Sequence, residues 1–317
     1  MPFKIVSNDI ASMHVDAVVN SVDPQPAQQE IGPIDTGCAA ITPAFGQNAK
    51  YVIHTAEPAW NGGGHEEESL LRSCYDNSLK LALEHGCRSV AFSLISGNNG
   101  FPKDKALKAA ISAFSAFLLE YEMQVYLVTD GTSFRLPEKL FRGVAGYIDQ
   151  NFVDLCRPVS YSIAPQRSIR RPGNVELCET AALRQCMPCA PASKVASLED
   201  LLKQADAGFT ETLLKLIDQS GKKDPEIYKK ANISKQHFSK IRNNPNYKPT
   251  KPTAIALALA LELDLEATKD LIGRAGYALT NSSKFDLIIR YFIEQGNYNV
   301  VEINIALYEF DQTLLGS

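Results

Sequence analysis

No apolar run in the sequence is long enough to cross a bilayer. The longest, Ala254 to Leu263 and broken by Glu262, is about half of the ~20 residues a membrane span needs. The opening MPFKIVSNDI lacks the basic start, apolar middle and small-residue cleavage site of a secretory leader. Neither sign of charge dominates. Thirty-two Lys and Arg against 36 Asp and Glu leave a formal charge of −4, which excludes wholesale coating of nucleic acid but not a local basic patch. Cysteine is sparse, and its count of seven is odd. Scattered through segments that otherwise look like core, these residues predict reduced thiols in a cytoplasm and no disulfide framework. A membrane partner, a cofactor and a resident metal are not expected. Oligomeric state is not legible.

What is present divides into parts, as 317 residues comfortably allow. Residues 1–152 alternate short β-branched or aromatic runs (4–6, 17–19, 51–53, 90–92 and 125–128) with helical patterns over 67–84 and 103–119. That alternation predicts an α/β fold with a mixed, mostly parallel sheet covered on both faces. From 153 to 196 the pattern collapses: prolines 158, 165, 172, 188 and 191 permit no long element, and this reads as a linker. Residues 197–317 read as an all-α domain. Its helices are expected at 197–205, 209–220, 224–231, 234–243, 252–264, 265–275, 282–295 and 299–314. The expected caps are Asp224 ahead of Pro225, Ser234, and Asn281-Ser282.

Three separated blocks carry chemistry: NDIASMHVDAVVNSVD, TGCAAITPAFGQNAKYVIHTAEPAW and SVAFSLISGNNGFPKDKA. Asp9 is expected at a strand end with Ile10 beside it, a place for a carboxylate to accept from an amine or to cap a turn. Asn20 ends the second strand, where an amide can bond hydroxyls or order a loop. Ser96, Gly97, Asn98, Asn99, Gly100 and Phe101 follow a buried strand and precede a helix. Glycines there let backbone N–H groups approach a diphosphate at the positive end of that helix. In order and spacing the blocks resemble the macro domain family over roughly residues 3–130. The resemblance implies a three-layer α/β/α fold with ADP-ribose in a cleft at the strand ends. Asp9 would then take adenine, Asn20 ribose, and the 96–101 loop the diphosphate. The implied partners are ADP-ribose, a related NAD-derived nucleotide or an ADP-ribosylated macromolecule.

The family pattern is broken in one place. Asp23 stands where a second asparagine is usual, and PQPAQQEIGPID replaces the glycine-rich loop that carries the water-activating acid in hydrolytic members. Asp23, Glu30 and Asp35 are nearby acids that could substitute as a base. Binding is therefore favoured over hydrolysis, with an ADP-ribosyl hydrolase as the alternative. Gly62, Gly63 and Gly64 read as a flexible peripheral connection. Cys38, His54 and Cys74 read as packing residues. The linker's CMPC, with Cys178 and Cys156, lacks a second pair and is a weak zinc signal.

The segment from Asp224 to Leu279 resembles the five-helix repressor-like helix-turn-helix, with its turn at Asn232-Ile233 and its second helix starting at Ser234. In that family the second helix enters the major groove. Residues 221–251 hold nine Lys or Arg against Asp224 and Glu226, a local surplus of seven. Lys235, Lys240 and Arg242 suit phosphates, while Gln236 and His237 suit bases. DNA or RNA is the implied partner, with a protein contact as the other reading. A DNA-binding transcriptional regulator is a further alternative for the whole chain.

Overall fold

In a computed structural model the described residues are 2–22, 32–44, 48–64, 66–95, 100–129, 138–153 and 208–316. Residues 197–205 and the cysteines at 156, 178, 186 and 189 lie outside them. Six strands form one sheet: β1 (Phe3–Ser7), β2 (Ala17–Val22), β3 (Ala39–Pro43), β4 (Tyr51–Ala56), β5 (Ser89–Phe92) and β6 (Gln124–Thr129). Their order is β1-β6-β5-β2-β4-β3, and every pairing is parallel except that of β3 with β4. The expected mixed sheet is therefore what forms. Five strands run in one direction, so their carboxyl ends gather along one edge.

Three helices belong to this part: α1 (Glu67–Glu84), α2 (Lys103–Glu120) and α3 (Glu138–Asn151). Leu71, Tyr75 and Leu79 of α1 and Leu107, Ile111, Phe114 and Phe117 of α2 stand three or four residues apart. That spacing buries one stripe of each helix against Phe3, Val19, Ile53, Phe92 and Leu127 of the sheet. The opposite face buries a smaller cluster of Met13, Val15, Val18, Ala91 and Val128.

The second part holds α4 (Phe209–Ser220), α5 (Asp224–Lys230), α6 (Lys235–Asn243), α7 (Lys251–Ala260), α8 (Leu265–Arg274), α9 (Lys284–Glu294) and α10 (Val300–Glu309). Every residue of α7 from Thr253 to Ala260 is buried, so this helix is the core of the helical part. Ser234 caps α6 as its sequence suggests, accepting from the His237 N–H. Two other expected caps are corrected. Asp224 lies inside α5, whose cap position is Lys223 with its N–H on Glu226. Ser283 replaces Asn281-Ser282 as the cap of α9, accepting from the Asp286 N–H.

Residues 1–153 and 207–317 make up one compact unit with a shared core. Strand β1 would leave an open sheet edge, and such edges need cover. The buried Asn232 supplies it at the first residue of the strand. Its Oδ1 accepts from the Phe3 N–H at 2.8 Å and its Nδ2 donates to the Phe3 carbonyl at 3.1 Å. Asn232 has φ of 56°, a left-handed conformation that asparagine tolerates better than most residues, and it lies between α5 and α6. Nearby, Lys229 Nζ donates to the carbonyls of Leu119 (3.1 Å) and Glu120 (2.8 Å) at the end of α2. A cation there also meets the negative end of the helix. On another side, Phe141 of α3 stacks on Phe310 at 5.3 Å. A Cβ at Gly143 would stand 2.4 Å from the Tyr291 hydroxyl, so glycine lets α3 approach α9.

Candidate functional site

The carboxyl edge of the sheet brings Asp9, Asn20 and the approach to the 96–101 loop to one side of the molecule. Strand β1 ends at Ser7, two residues before Asp9, and the Asn8 N–H is held by the Thr129 carbonyl at the end of β6 (3.1 Å). Asp9 does not end the strand; it caps the short turn Ile10–Ser12, one oxygen accepting from the Ala11 N–H at 3.0 Å. Asn8 Oδ1 accepts from the Asp9 N–H (2.9 Å) and the Ser12 hydroxyl (3.0 Å), so the turn is ordered from two directions. Asp9 is exposed, and its second oxygen remains open for a donor from outside. Ile10, half-buried, packs on the smaller apolar cluster. Asn20, also exposed, does not end the strand as expected: it sits within β2, two residues before Val22 and level with His54 of β4.

The chain entering the phosphate-like loop is anchored at Ile95, whose N–H donates to the Tyr75 hydroxyl at 2.9 Å. Tyr75 is fully buried among Phe92 and Phe114, and that burial pushes its phenol far above the usual tyrosine range. Ser96, Gly97, Asn98 and Asn99 lie outside the described residues. Gly100 follows with φ of 72°, a left-handed turn suited to glycine, and Phe101 is buried edge-on to Trp60 at 4.8 Å. Helix α2 then begins at Lys103, with its N-terminus beside this loop. The exposed glycines 62–64 follow Asn61, whose N–H is held by the buried Glu67 at 2.8 Å, and a Cβ on Gly63 would meet Trp60 at 2.8 Å.

Of the three residues read as packing, His54 and Cys74 are buried, while Cys38 is exposed and so corrects that expectation. Cys74 Sγ donates to the Ala56 carbonyl at 3.3 Å, and burial holds its thiol protonated. His54 Nε2 faces Thr42 Oγ1 at 3.0 Å, and burial lowers its pKa from 6.5. His237 shifts the same way, through burial and then Lys240. Both imidazoles are therefore harder to protonate in the fold than in the unfolded chain, which binds protons below about pH 6.5. Stability should therefore fall as pH drops through 6.5 toward the folded pKa values. Urea midpoints at pH 7.5 and 5.5 test this, and His54→Gln should narrow the gap; an unchanged gap would mean the histidine is not responsible.

Asp23 and Glu30 lie outside the described residues. Asp35 is exposed, its carbonyl accepting from the Cys38 N–H at 2.9 Å. Among the described residues no group of three His, Cys, Asp or Glu could hold a metal ion.

On the helical part, Lys235, Gln236, Lys240 and Arg242 are exposed along α6. His237 is half-buried, its Nε2 2.9 Å from the Tyr247 hydroxyl. Much of the local basic surplus is already neutralised. Arg242 pairs with Asp224, Lys230 with Glu262, and Lys251 with the fully buried Asp286. Lys222 Nζ lies 3.3 Å from the Ala260 carbonyl and 3.5 Å from Glu262.

A family model described as Macro domain matches residues 16–110. A macro domain-containing protein of Chlorobaculum tepidum is 39% identical, the match covering 36% of this chain and 79% of the relative. An O-acetyl-ADP-ribose deacetylase of Salmonella typhimurium is 36% identical over 39% of this chain and 85% of its own length. An Oceanobacillus iheyensis macrodomain variant solved with ADPR is 25% identical, covering 40% of this chain and 84% of that one, with a TM-score of 0.37.

Proposed function

The chain belongs to the macro domain family through its N-terminal part, and from that premise we propose that residues 1–152 bind ADP-ribose or a close NAD-derived relative. At family level, ADP-ribose binding or hydrolysis is the supported activity. The observation that carries the finer reading is Asp9. Its carboxylate is fixed by one oxygen and open at the other, beside the strand ends where ligands of open α/β sheets lie. The exposed oxygen suits the exocyclic amine of adenine. Ile10 lies under the ring, Asn20 takes a ribose hydroxyl, and residues 96–101 receive the diphosphate at the start of α2.

Calorimetry of the full chain with ADP-ribose tests this. Asp9→Ala should cost about 1.5–3 kcal/mol of binding, the worth of hydrogen bonds to a charged group, or roughly 10- to 150-fold in Kd. Unchanged affinity in that variant, or no binding by the parent at millimolar ligand, would sink the assignment.

Hydrolysis is the second reading, supported by the likeness to an O-acetyl-ADP-ribose deacetylase. The stretch between Asn20 and Asp35 holds a single glycine, Gly32, so little backbone there can wrap a diphosphate and position a water. Turnover beside the Salmonella enzyme is expected to be slow. A comparable rate would assign the chemistry to Asp23, Glu30 or Asp35, and single alanine variants would show which.

For the remainder, the division into 1–152, a linker at 153–196 and a helical domain at 197–317 belongs to the same proposal, as does a cytoplasmic location. No described helix is long and apolar enough to cross a membrane. Helices α5 and α6 with the turn at Asn232 are read as a helix-turn-helix that contacts nucleic acid. The exposed side chains of Lys235, Gln236, Lys240 and Arg242 on one short helix support this reading.

A further inference from the structure

We propose that a groove between the amino-terminal end of β6 and the start of α6 binds single-stranded nucleic acid. The proposal rests on reading α5 and α6 as a nucleic-acid contact, but it changes which form is bound and brings in residues of the macro part. The groove encloses about 520 Å³ and is lined by Arg88, Tyr121, Glu122, Tyr228, Lys235 and Gln236, among others. Pockets of about 300–1,000 Å³ hold small-molecule ligands, the size of one or two nucleotides.

Three properties of this lining suit a single strand. Arg88 of the macro part and Lys235 of α6 are both exposed in the lining, and among the described residues neither side chain has an acceptor. Among the described lining residues the one acidic side chain, Glu122, is engaged by the Tyr228 hydroxyl at 2.9 Å, and burial pushes that phenol up to about 12, so it stays a donor. Tyr121 is 41% exposed and packs against Phe117 at 4.9 Å, which leaves ring surface for a base. Cationic side chains along a backbone track and an aromatic platform are what sequence-tolerant strand binding requires.

The same wall argues against a duplex. A recognition helix docks by placing its first residues in a major groove about 12 Å wide. Here Lys235 and Gln236, the first residues of α6, line a groove whose far side is Arg88 and Tyr121 of the macro part. A groove of about 520 Å³ has room for a nucleotide or two of a separated strand.

The test is fluorescence anisotropy of the full chain with a labelled 12-nucleotide oligo-dT, an oligo-U of equal length and a 12-base-pair duplex. Single strands should bind at least about tenfold tighter than the duplex, and the tighter of the two strands tells DNA from RNA. Tyr121→Ala should weaken strand binding about 5- to 150-fold, the range for loss of one base stack. Arg88→Ala should reduce the log–log salt slope by about 0.7. Calorimetry with ADP-ribose should be unchanged in both variants, which shows them folded. Strand binding indifferent to Arg88 and Tyr121 would overturn the groove. So would a duplex bound as tightly as the strands, with Lys240→Ala having the main effect; that result leaves the helix-turn-helix reading standing. No binding of any oligonucleotide would overturn both.

Discussion

Lys251→Ala is expected to lower stability by about 3–5 kcal/mol, the range for removing one partner of a buried ion pair. Asp286 is fully buried, and its carboxylate meets Lys251 Nζ at 2.6 Å, the Thr280 N–H at 2.9 Å and the Thr280 hydroxyl at 3.0 Å. Without the lysine, the negative charge keeps only neutral donors in a place water does not reach. Urea unfolding read by circular dichroism gives the number. The double variant Lys251→Met with Asp286→Asn removes both charges and should recover more than half of the loss. A single variant within about 0.5 kcal/mol of the parent would show that the pair contributes nothing.

Asn232→Ala should cost about 2–4 kcal/mol. It leaves the Phe3 N–H and carbonyl without their partner at a buried edge, at about 1–3 kcal/mol for each unmet group before relaxation. Alanine at φ of 56° adds strain. Asn232→Gly removes the amide but tolerates the backbone, so the difference between the two variants separates hydrogen bonding from strain. Hydrogen exchange at Phe3 and Val125, paired at the start of β1 and β6, should quicken in both. Parent-like midpoints and exchange in Asn232→Gly would remove the amide's role.

The sequence was most readable where one force acts alone. Val18-Val19, Tyr51-Val52-Ile53 and Val125-Tyr126-Leu127-Val128 became strands because branched and aromatic side chains suit a pleated, buried surface. Ala39–Pro43 is not expected as a strand because alanine and proline, which disfavour one, hold three of its five positions; it exists by antiparallel pairing to β4. Helix α3 was hidden by Gly143 and Gly146, and at Gly143 the reason for glycine is Tyr291, 148 residues away in sequence. Lys251 belongs to the basic run in sequence, yet in the fold it serves the core. Its partner Asp286 lies 35 positions on, beyond any local pattern. Near the candidate site the sequence places Asp9 and Asn20 toward the carboxyl ends of β1 and β2, but it does not show the role of Asn232. An asparagine ahead of Ile-Ser signals a turn, but nothing local says that the amide will close the edge of a distant sheet.

That closure bears on how such a chain can change over generations. A module that completes its own sheet can be traded among genes as a self-contained unit. Here the first strand borrows an amide from residue 232, and α3 keeps a glycine so that a tyrosine of α9 can lie against it. Grafting the N-terminal part alone onto another protein would export a sheet with an uncovered flank. In this chain the flank stays covered only while residue 232 travels with the strand it serves.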